Sequence, residues 1–154
     1  MRFISASSAS LRTCRVRIGH RAGFTHAVTE TGDLILRTPE SVASARRRLL
    51  RWGVAIIPGP LPVHRRIVAT GTPFQSKVWR AAQGIPSGET RTYGELAKIV
   101  GCKSAQAVGG ALGANPLAVL IPCHRIVSAT GLGGFAWGLP RKLAWLAAER
   151  RGAA

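Results

Sequence analysis

Residues 92–116, TYGELAKIVGCKSAQAVGGALGANP, decide the architecture of the C-terminal half of the chain. Thr92-Tyr93-Gly94-Glu95 is a capping box, in which the Thr hydroxyl and the Glu carboxylate each reach an unsatisfied N–H of a helix's first turn. Tyr93, Leu96, Ala97 and Val100 follow at helical spacing and predict one apolar stripe, which Gly101 ends. A second helix is expected over about 103–114. Two short helices joined by a Gly-containing turn are a helix-turn-helix candidate. Major-groove readers use long polar side chains on the second helix, but Ala105, Ala107, Gly109, Gly110 and Ala111 leave this one nearly bare. Small residues permit close approach to the minor groove, where sequence information is degenerate. They equally permit tight helix packing, and spacing alone does not separate the two readings.

Upstream, Thr72-Pro73 is an N-cap followed by proline at the first helical position, and Phe74, Val78, Trp79 and Ala82 predict a helix that stops near Gly84. Downstream, the apolar run 117–121 leads into Pro122-Cys123-His124-Arg125. A thiol beside an imidazole and a guanidinium is a nucleophile with a base at hand. Neighbouring strand residues point to opposite faces, so the pair couples only through a backbone turn or a bridging water; a buried structural Cys is the plain alternative. A loop with Gly131, Gly133 and Gly134 precedes Phe135-Ala136-Trp137 and a final helix opened by Pro140, with Leu139, Leu143, Leu146 and Ala147 as its apolar positions. Glu149 closes that helix against the macrodipole, which calls for a cationic partner such as His124 or Arg125. Asn115-Pro116 reads locally as a turn.

The 154 residues suit one to two domains. A formal charge of +16 favours a polyanionic partner such as nucleic acid; twelve of the 22 basic residues precede Gly71, so a solvated basic segment covers part of the excess. Cys14, Cys102 and Cys123 form neither a disulfide framework nor a metal quartet. Cys14, His20 and His26 match no dependable zinc spacing, so no metal is expected. No apolar run approaches the roughly 20 residues that cross a bilayer. The first 29 residues carry five arginines and no acid, which suits an organellar transit peptide or a translated upstream region of an Arg- and Ala-rich genome; the second is the reading taken.

The segments GTPFQSKVW, IPSGETRTYGELA, AVGGALGANPLAVLIPCHRIV and GLGGFAWGLPRKLAWL follow one another between Gly71 and Leu146, with Glu149 just beyond. Together they resemble the catalytic domain of the O6-alkylguanine-DNA alkyltransferases, the methylated-DNA–protein-cysteine methyltransferases, over about half of the chain. The resemblance implies DNA repair by irreversible transfer of an alkyl group from guanine O6 in double-stranded DNA to Cys123, once per molecule and without a cofactor. It implies Cys123 as nucleophile, His124 as its base through a water, and Glu149 as the group that fixes the imidazole tautomer. Tyr93 would crowd the rotated phosphate and donate a proton toward guanine N3, and Asn115 would tie the helix-turn-helix to the active-site backbone. Ile126, Phe135, Ala136 and Trp137 would wall the guanine pocket, with Lys142 beside it. Some relatives hold a small residue where Trp137 stands, so bulky O6 substituents are expected to fit poorly.

Minor-groove contact is assigned by the same resemblance to Ala105, Gln106, Ala107 and Gly109, with Lys103 and Arg91 on phosphates. Relatives usually carry an arginine where this chain has Gln106. That arginine replaces the flipped base in the stack; glutamine has no charge and stacks less well, so flipping is expected to be weaker. The expected fold is a mainly α catalytic domain with a helix-turn-helix and short strands over residues 70–151. Residues 1–69 are expected to be a reduced or irregular N-terminal segment: a remnant, a divergent version of the family's larger domain, or a misread start. Within it a strand at 33–36, a basic helix at 41–52 and a linker at Pro58, Pro60 and Pro62 are expected. A monomer in the bacterial cytosol, associated with the nucleoid and not with a membrane, completes the reading. The alternatives are a non-catalytic alkyltransferase-like protein, whose relatives lack the cysteine that this chain keeps, a helix-turn-helix regulator, and a degraded product that does not fold.

Overall fold

In the first half of the chain, apolar and basic residues alternate through Arg15-Val16-Arg17-Ile18, a period of two that suits a strand with one buried face. The computed structural model describes residues 2–4 and 14–152, and it divides into two units, Met1–Ser76 and Lys77–Ala154. In the first unit, β2 (Arg15–Arg21), β3 (Phe24–Thr29) and β4 (Asp33–Thr38) form an antiparallel meander. The two-residue turn Ala22-Gly23 has φ of 51° and 77°, the geometry of a hairpin turn that matches strand twist. Parallel strands β1 (Arg2–Ile4), β5 (Ala55–Ile56) and β6 (Arg66–Thr70) complete a six-stranded sheet in the order β1-β6-β4-β3-β2-β5.

Helix α1 (Val42–Arg51), capped by Ser41, lays Ala45 and Leu49 on the face formed by Val16, Ala27 and Leu36, all of them fully buried. At about 25 cal/mol per Å² of apolar area removed from water, burial of this cluster stabilises the unit. The expectation of a reduced or irregular segment is therefore corrected. The strand and helix expected at 33–36 and 41–52 are present, but they belong to a complete sheet whose other strands are short or carry long basic side chains. The prolines at 58, 60 and 62 connect β5 to β6, two strands of that same sheet. Residues 15–29, part of the leader-like stretch, are β2 and β3; its residues 5–13 lie outside the described residues.

The boundary between the units falls inside α2 (Pro73–Gln83). The second unit continues with β7 (Arg91–Thr92), α3 (Tyr93–Ile99), α4 (Ala105–Gly113), a 3₁₀ turn (Cys123–Arg125), β8 (Ile126–Val127) and α5 (Leu139–Arg150). This unit is helical with short strands, as expected; the chain as a whole is not mainly α. Both bonds of the Thr92–Glu95 capping box form, at 3.2 and 2.6 Å, and Ser104 caps α4 through the Ala107 amide at 3.1 Å. Each such cap is worth about 1 kcal/mol. Trp79, fully buried, donates its indole N–H to Ala111 O at 2.8 Å and ties α2 to α4. The parallel pair β7–β8 sets Arg91 opposite Ile126 and Thr92 opposite Val127, so the start of α3 lies beside the turn that carries Cys123. Among the described residues, no helix is long and apolar enough to cross a membrane.

Candidate active site

Asn115 is fully buried and organises the loop that delivers the thiol. Its Nδ2 donates to Ile121 O at 2.9 Å and to Cys123 Sγ at 3.2 Å, and its Oδ1 accepts from Leu117 N at 2.8 Å. Gln83 Nε2 holds Leu120 O at 2.9 Å from α2. Between these restraints Val119 is forced to φ 69°, a left-handed conformation that costs a β-branched residue about 1–3 kcal/mol. The strain marks how tightly the loop is specified. The 3₁₀ turn that follows is the backbone turn needed to let adjacent Cys123 and His124 serve one site.

His124 is fully buried, and its Nε2 lies 2.6 Å from Glu149 Oε1. Glu149 also accepts from Arg125 Nε at 2.9 Å, from Arg125 Nη2 at 2.8 Å and from Gly88 N at 3.1 Å. Burial alone would raise the Glu149 pKa, but these donors, Arg125 first, bring it down to about 2. The carboxylate is thus ionised at neutral pH and can only accept, which makes His124 Nε2 the donor. Burial pushes the His124 pKa below its usual value against the opposing pull of Glu149. The imidazole is therefore neutral at neutral pH, with its lone pair on Nδ1, a buried atom without a protein partner. Arg125 is anchored in turn by Ile85 O at 2.6 Å.

Cys123 is 6% exposed, and burial pushes its thiol up to about 11 despite the Asn115 donor. It lines a cavity of about 700 Å³ with Tyr93, Ala105, Gln106, Gly109, Phe135 and Ala136. The wall opposite the helix-turn-helix is pinned from below. The buried Lys142 donates to Ile126 O and Leu132 O at 2.5 Å and to Gly134 O at 3.1 Å, and Tyr93 OH donates to Gly134 O at 3.1 Å. Gly133 has φ 67°, and a Cβ there would stand 2.9 Å from Tyr93 Cε2. Burial lowers the Lys142 pKa and raises that of Tyr93.

The sequence-expected residues thus fall into four places. Cys123, Tyr93, Ala105, Gln106, Gly109, Phe135 and Ala136 line the cavity; Asn115, His124, Glu149, Ile126 and Lys142 lie buried around it. Trp137 turns into an aromatic cluster, edge-on to Phe135 at 5.4 Å. Ala107 and Lys103 are exposed outside the cavity, and Arg91 sits 3.3 Å from Glu89. Trp145, which packs edge-on to His124 at 5.4 Å and to Phe135 at 5.7 Å, was not among the expected residues. Its place one turn before Glu149 on the same helix was the available signal. Gln83 had none, since it meets Leu120 across 37 residues. Cys14 packs on the α1 cluster, while His20 and His26 lie on opposite faces of the sheet, so the three do not converge.

The profile of a family described as 6-O-methylguanine DNA methyltransferase, DNA binding domain, matches residues 73–151, which hold every residue that lines the cavity or is buried around it. The chain belongs to this family. A methylated-DNA–protein-cysteine methyltransferase of Mycolicibacterium paratuberculosis is 54% identical over 83 residues, covering 53% of this chain and 50% of the relative. A probable methyltransferase of the same name from Acanthamoeba polyphaga mimivirus is 52% identical over 77 residues, 49% of this chain and 51% of the relative. The chain spans about half the length of the curated relatives it matches. Solved structures extend the likeness to both units: the Mycobacterium tuberculosis O6-methylguanine methyltransferase superposes with a TM-score of 0.66 at 29% identity over 92% of this chain and 96% of that one. The M. tuberculosis OGT in complex with DNA gives 0.64 at 33% identity over 90% and 94%.

Proposed function

We propose that this methyltransferase-family chain repairs double-stranded DNA by moving the alkyl group of an O6-alkylguanine onto Cys123, once per molecule. One observation carries the reading: the cysteine that lines the cavity has an amide donor on its sulfur and, next to it in the chain, a neutral imidazole locked by an ionised carboxylate. The lesion base is extruded from the duplex into the cavity. Sγ attacks the alkyl carbon as the C–O6 bond breaks, and the thiol proton passes through one water to His124 Nδ1. Glu149 stabilises the imidazolium that forms. Tyr93 gives up Gly134 O to pass its proton to N3 of the departing guanine, and the proton that the thiol lost to His124 restores the tyrosinate, so one proton in all moves from thiol to guanine. The thioether has no route to hydrolysis, so the molecule is spent.

Helices α3 and α4 hold the duplex from the minor groove, with Ala105, Ala107 and Gly109 allowing close approach, Gln106 filling the vacated stack, and Lys103 and Arg91 on phosphates. Ile126 and Lys142 support the pocket wall from behind, Phe135 and Ala136 form it, and Trp137 backs Phe135 edge-on. The protein acts as a monomer in the bacterial cytosol. The test is incubation with a duplex carrying one O6-methylguanine, followed by mass spectrometry. One methylene's mass on the Cys123 peptide, at no more than one equivalent, is expected; alkyl mass elsewhere, or multiple turnover, refutes the mechanism.

A further inference from the structure

The charge of the first unit is sorted by position. Residues 14–76 hold ten arginines and three acids, and each acid faces an arginine: Glu30 with Arg15 at 3.6 Å, Asp33 with Arg66 at 2.6 Å, and Glu40 with Arg48 at 2.6 Å. Strand alternation separates the remaining cations from the core. Val16, Ile18, Ala27 and Leu36 share the face that α1 covers. The intervening residues Arg17 and Arg21 of β2, Phe24 and His26 of β3, and Arg37 of β4 fall on the other face, with Arg21 opposite Phe24 and His26 opposite Arg37. The connection 57–65 crosses that same face. Leu61 fills the space beside Gly19, Arg17 Nε donates to Pro58 O at 3.4 Å, and Arg65 lies against Gly32.

Every titratable side chain named on this face is basic. Arg21, His64 and Arg65 are exposed, and Arg17 and Arg37 are partly so. Clustered like charge destabilises a fold by self-repulsion, and buried His26 registers it. Its Nδ1 has no protein partner, and burial, then the charges of Arg37, His64 and Arg21, push its pKa down. From Arg21 at one end of β3 to Arg65 beyond the other, the stripe is about 20 Å long at strand rise. That length faces about six base pairs of duplex. Its aromatic ring, Phe24, already lies 3.7 Å under the Arg37 guanidinium, so it offers no platform for stacking the bases of a single strand.

We propose that this face of the first unit is a binding surface for the phosphate backbone of duplex DNA, additional to the helix-turn-helix of the second unit. The proposal rests on the DNA-repair reading above. Guanidinium forks suit phosphodiester oxygens, and a line of them neutralises successive phosphates without reading bases. The test compares the full chain with Arg21→Gln/Arg65→Gln and Arg21→Lys/Arg65→Lys, titrating undamaged duplex by fluorescence anisotropy over a range of salt. The Gln variant should show a log–log salt slope shallower by about 1.8, and bind about 30-fold more weakly at about 0.15 M salt, while the Lys variant keeps the parent's slope. A steep parent slope left unchanged in the Gln variant overturns this surface alone. Equal losses in the Lys and Gln variants assign the arginines to folding and overturn it too. A parent chain that does not bind duplex at all overturns the repair reading and this proposal together.

Discussion

Replacing Glu149 by Gln tests the heart of the site, because it keeps the shape of the side chain and removes only its charge. In the native site the carboxylate accepts from His124, Arg125 and the Gly88 amide, and its pKa falls from 4.5 to about 2. A depressed carboxylate pKa means that the stabilisation is complete above pH 4.5 and is lost as pH falls through about 2. At neutral pH it is worth about 3 kcal/mol. In the variant an amide faces the donors of Arg125, so that stabilisation goes, and Tm should fall by about 6–12 °C. His124 also loses the partner that raises its basicity and fixes its tautomer. Single-turnover transfer from an O6-methylguanine duplex, measured where both proteins are folded, should slow by about 10² to 10⁴ at neutral pH. Since the Cys123 thiol titrates near about 11, hydroxide should progressively replace the missing base, and the variant's rate should climb about tenfold per pH unit through the alkaline range. A variant that matches the parent's rate at neutral pH would refute the nucleophile–base–orienter arrangement. A slow variant whose rate ignores pH would show that Glu149 acts on structure alone.

Cys123→Ala should abolish transfer and leave duplex affinity nearly unchanged, because binding rests on phosphate contacts and helix shape; peptide mapping that finds alkyl on Cys14 or Cys102 of the parent would overturn the assignment. Gly133→Ala should cost about 1–3 kcal/mol, since the new Cβ meets Tyr93 and the backbone φ is 67°, and it should slow transfer as the Tyr93–Gly134 contact opens; unchanged Tm and rate would show that the loop is not pinned as described. Gln106→Arg should speed transfer in duplex DNA by up to about tenfold, with about 1.4 kcal/mol of flipping cost recovered, and should do less for the free alkylguanine base. Equal duplex rates would show that glutamine is an adequate wedge.

Local signals carried the second unit well and the first one poorly, for a physical reason. The capping box at Thr92, the proline after Thr72 and the stripe behind Tyr93 involve residues within a few positions of one another, and each is formed in the structure. The first unit depends on strand pairing between residues far apart, and its strand β2 hides its apolar pair Val16 and Ile18 among arginines that suggested a leader. The final helix shows the limit in another form. Its apolar positions predicted Leu139, Leu143 and Leu146 as the inner face, but Leu139 and Leu143 are exposed and the buried face is Lys142, Leu146 and Glu149. Hydrophobic spacing finds the inner face only where the interior is apolar, whereas here the interior is the polar candidate site. Lys142 is satisfied by three carbonyls and Glu149 by cations from a distant turn, and neither pairing has a local signature in sequence.

On the proposed reaction the protein is spent once, so its nucleophile needs protection from the wrong electrophile, and the resting geometry would supply it. With burial pushing the thiol up to about 11, the thiolate is scarce at pH 7. The groups that could release it are each held one step short. Asn115 Nδ2 donates to Sγ but shares that amide with Ile121 O. His124 is neutral with Nδ1 open, and Tyr93 is engaged with Gly134 O. A small electrophile reaching the cavity meets a thiol, which reacts poorly. In the proposed reaction a flipped alkylguanine would supply an alkyl carbon at sulfur and a leaving group that Tyr93 can protonate, so deprotonation and displacement would proceed together. The high thiol pKa is therefore compatible with the proposed transfer: the ionisation it makes unfavourable would be completed only in the transition state, where the interactions that lower the barrier belong.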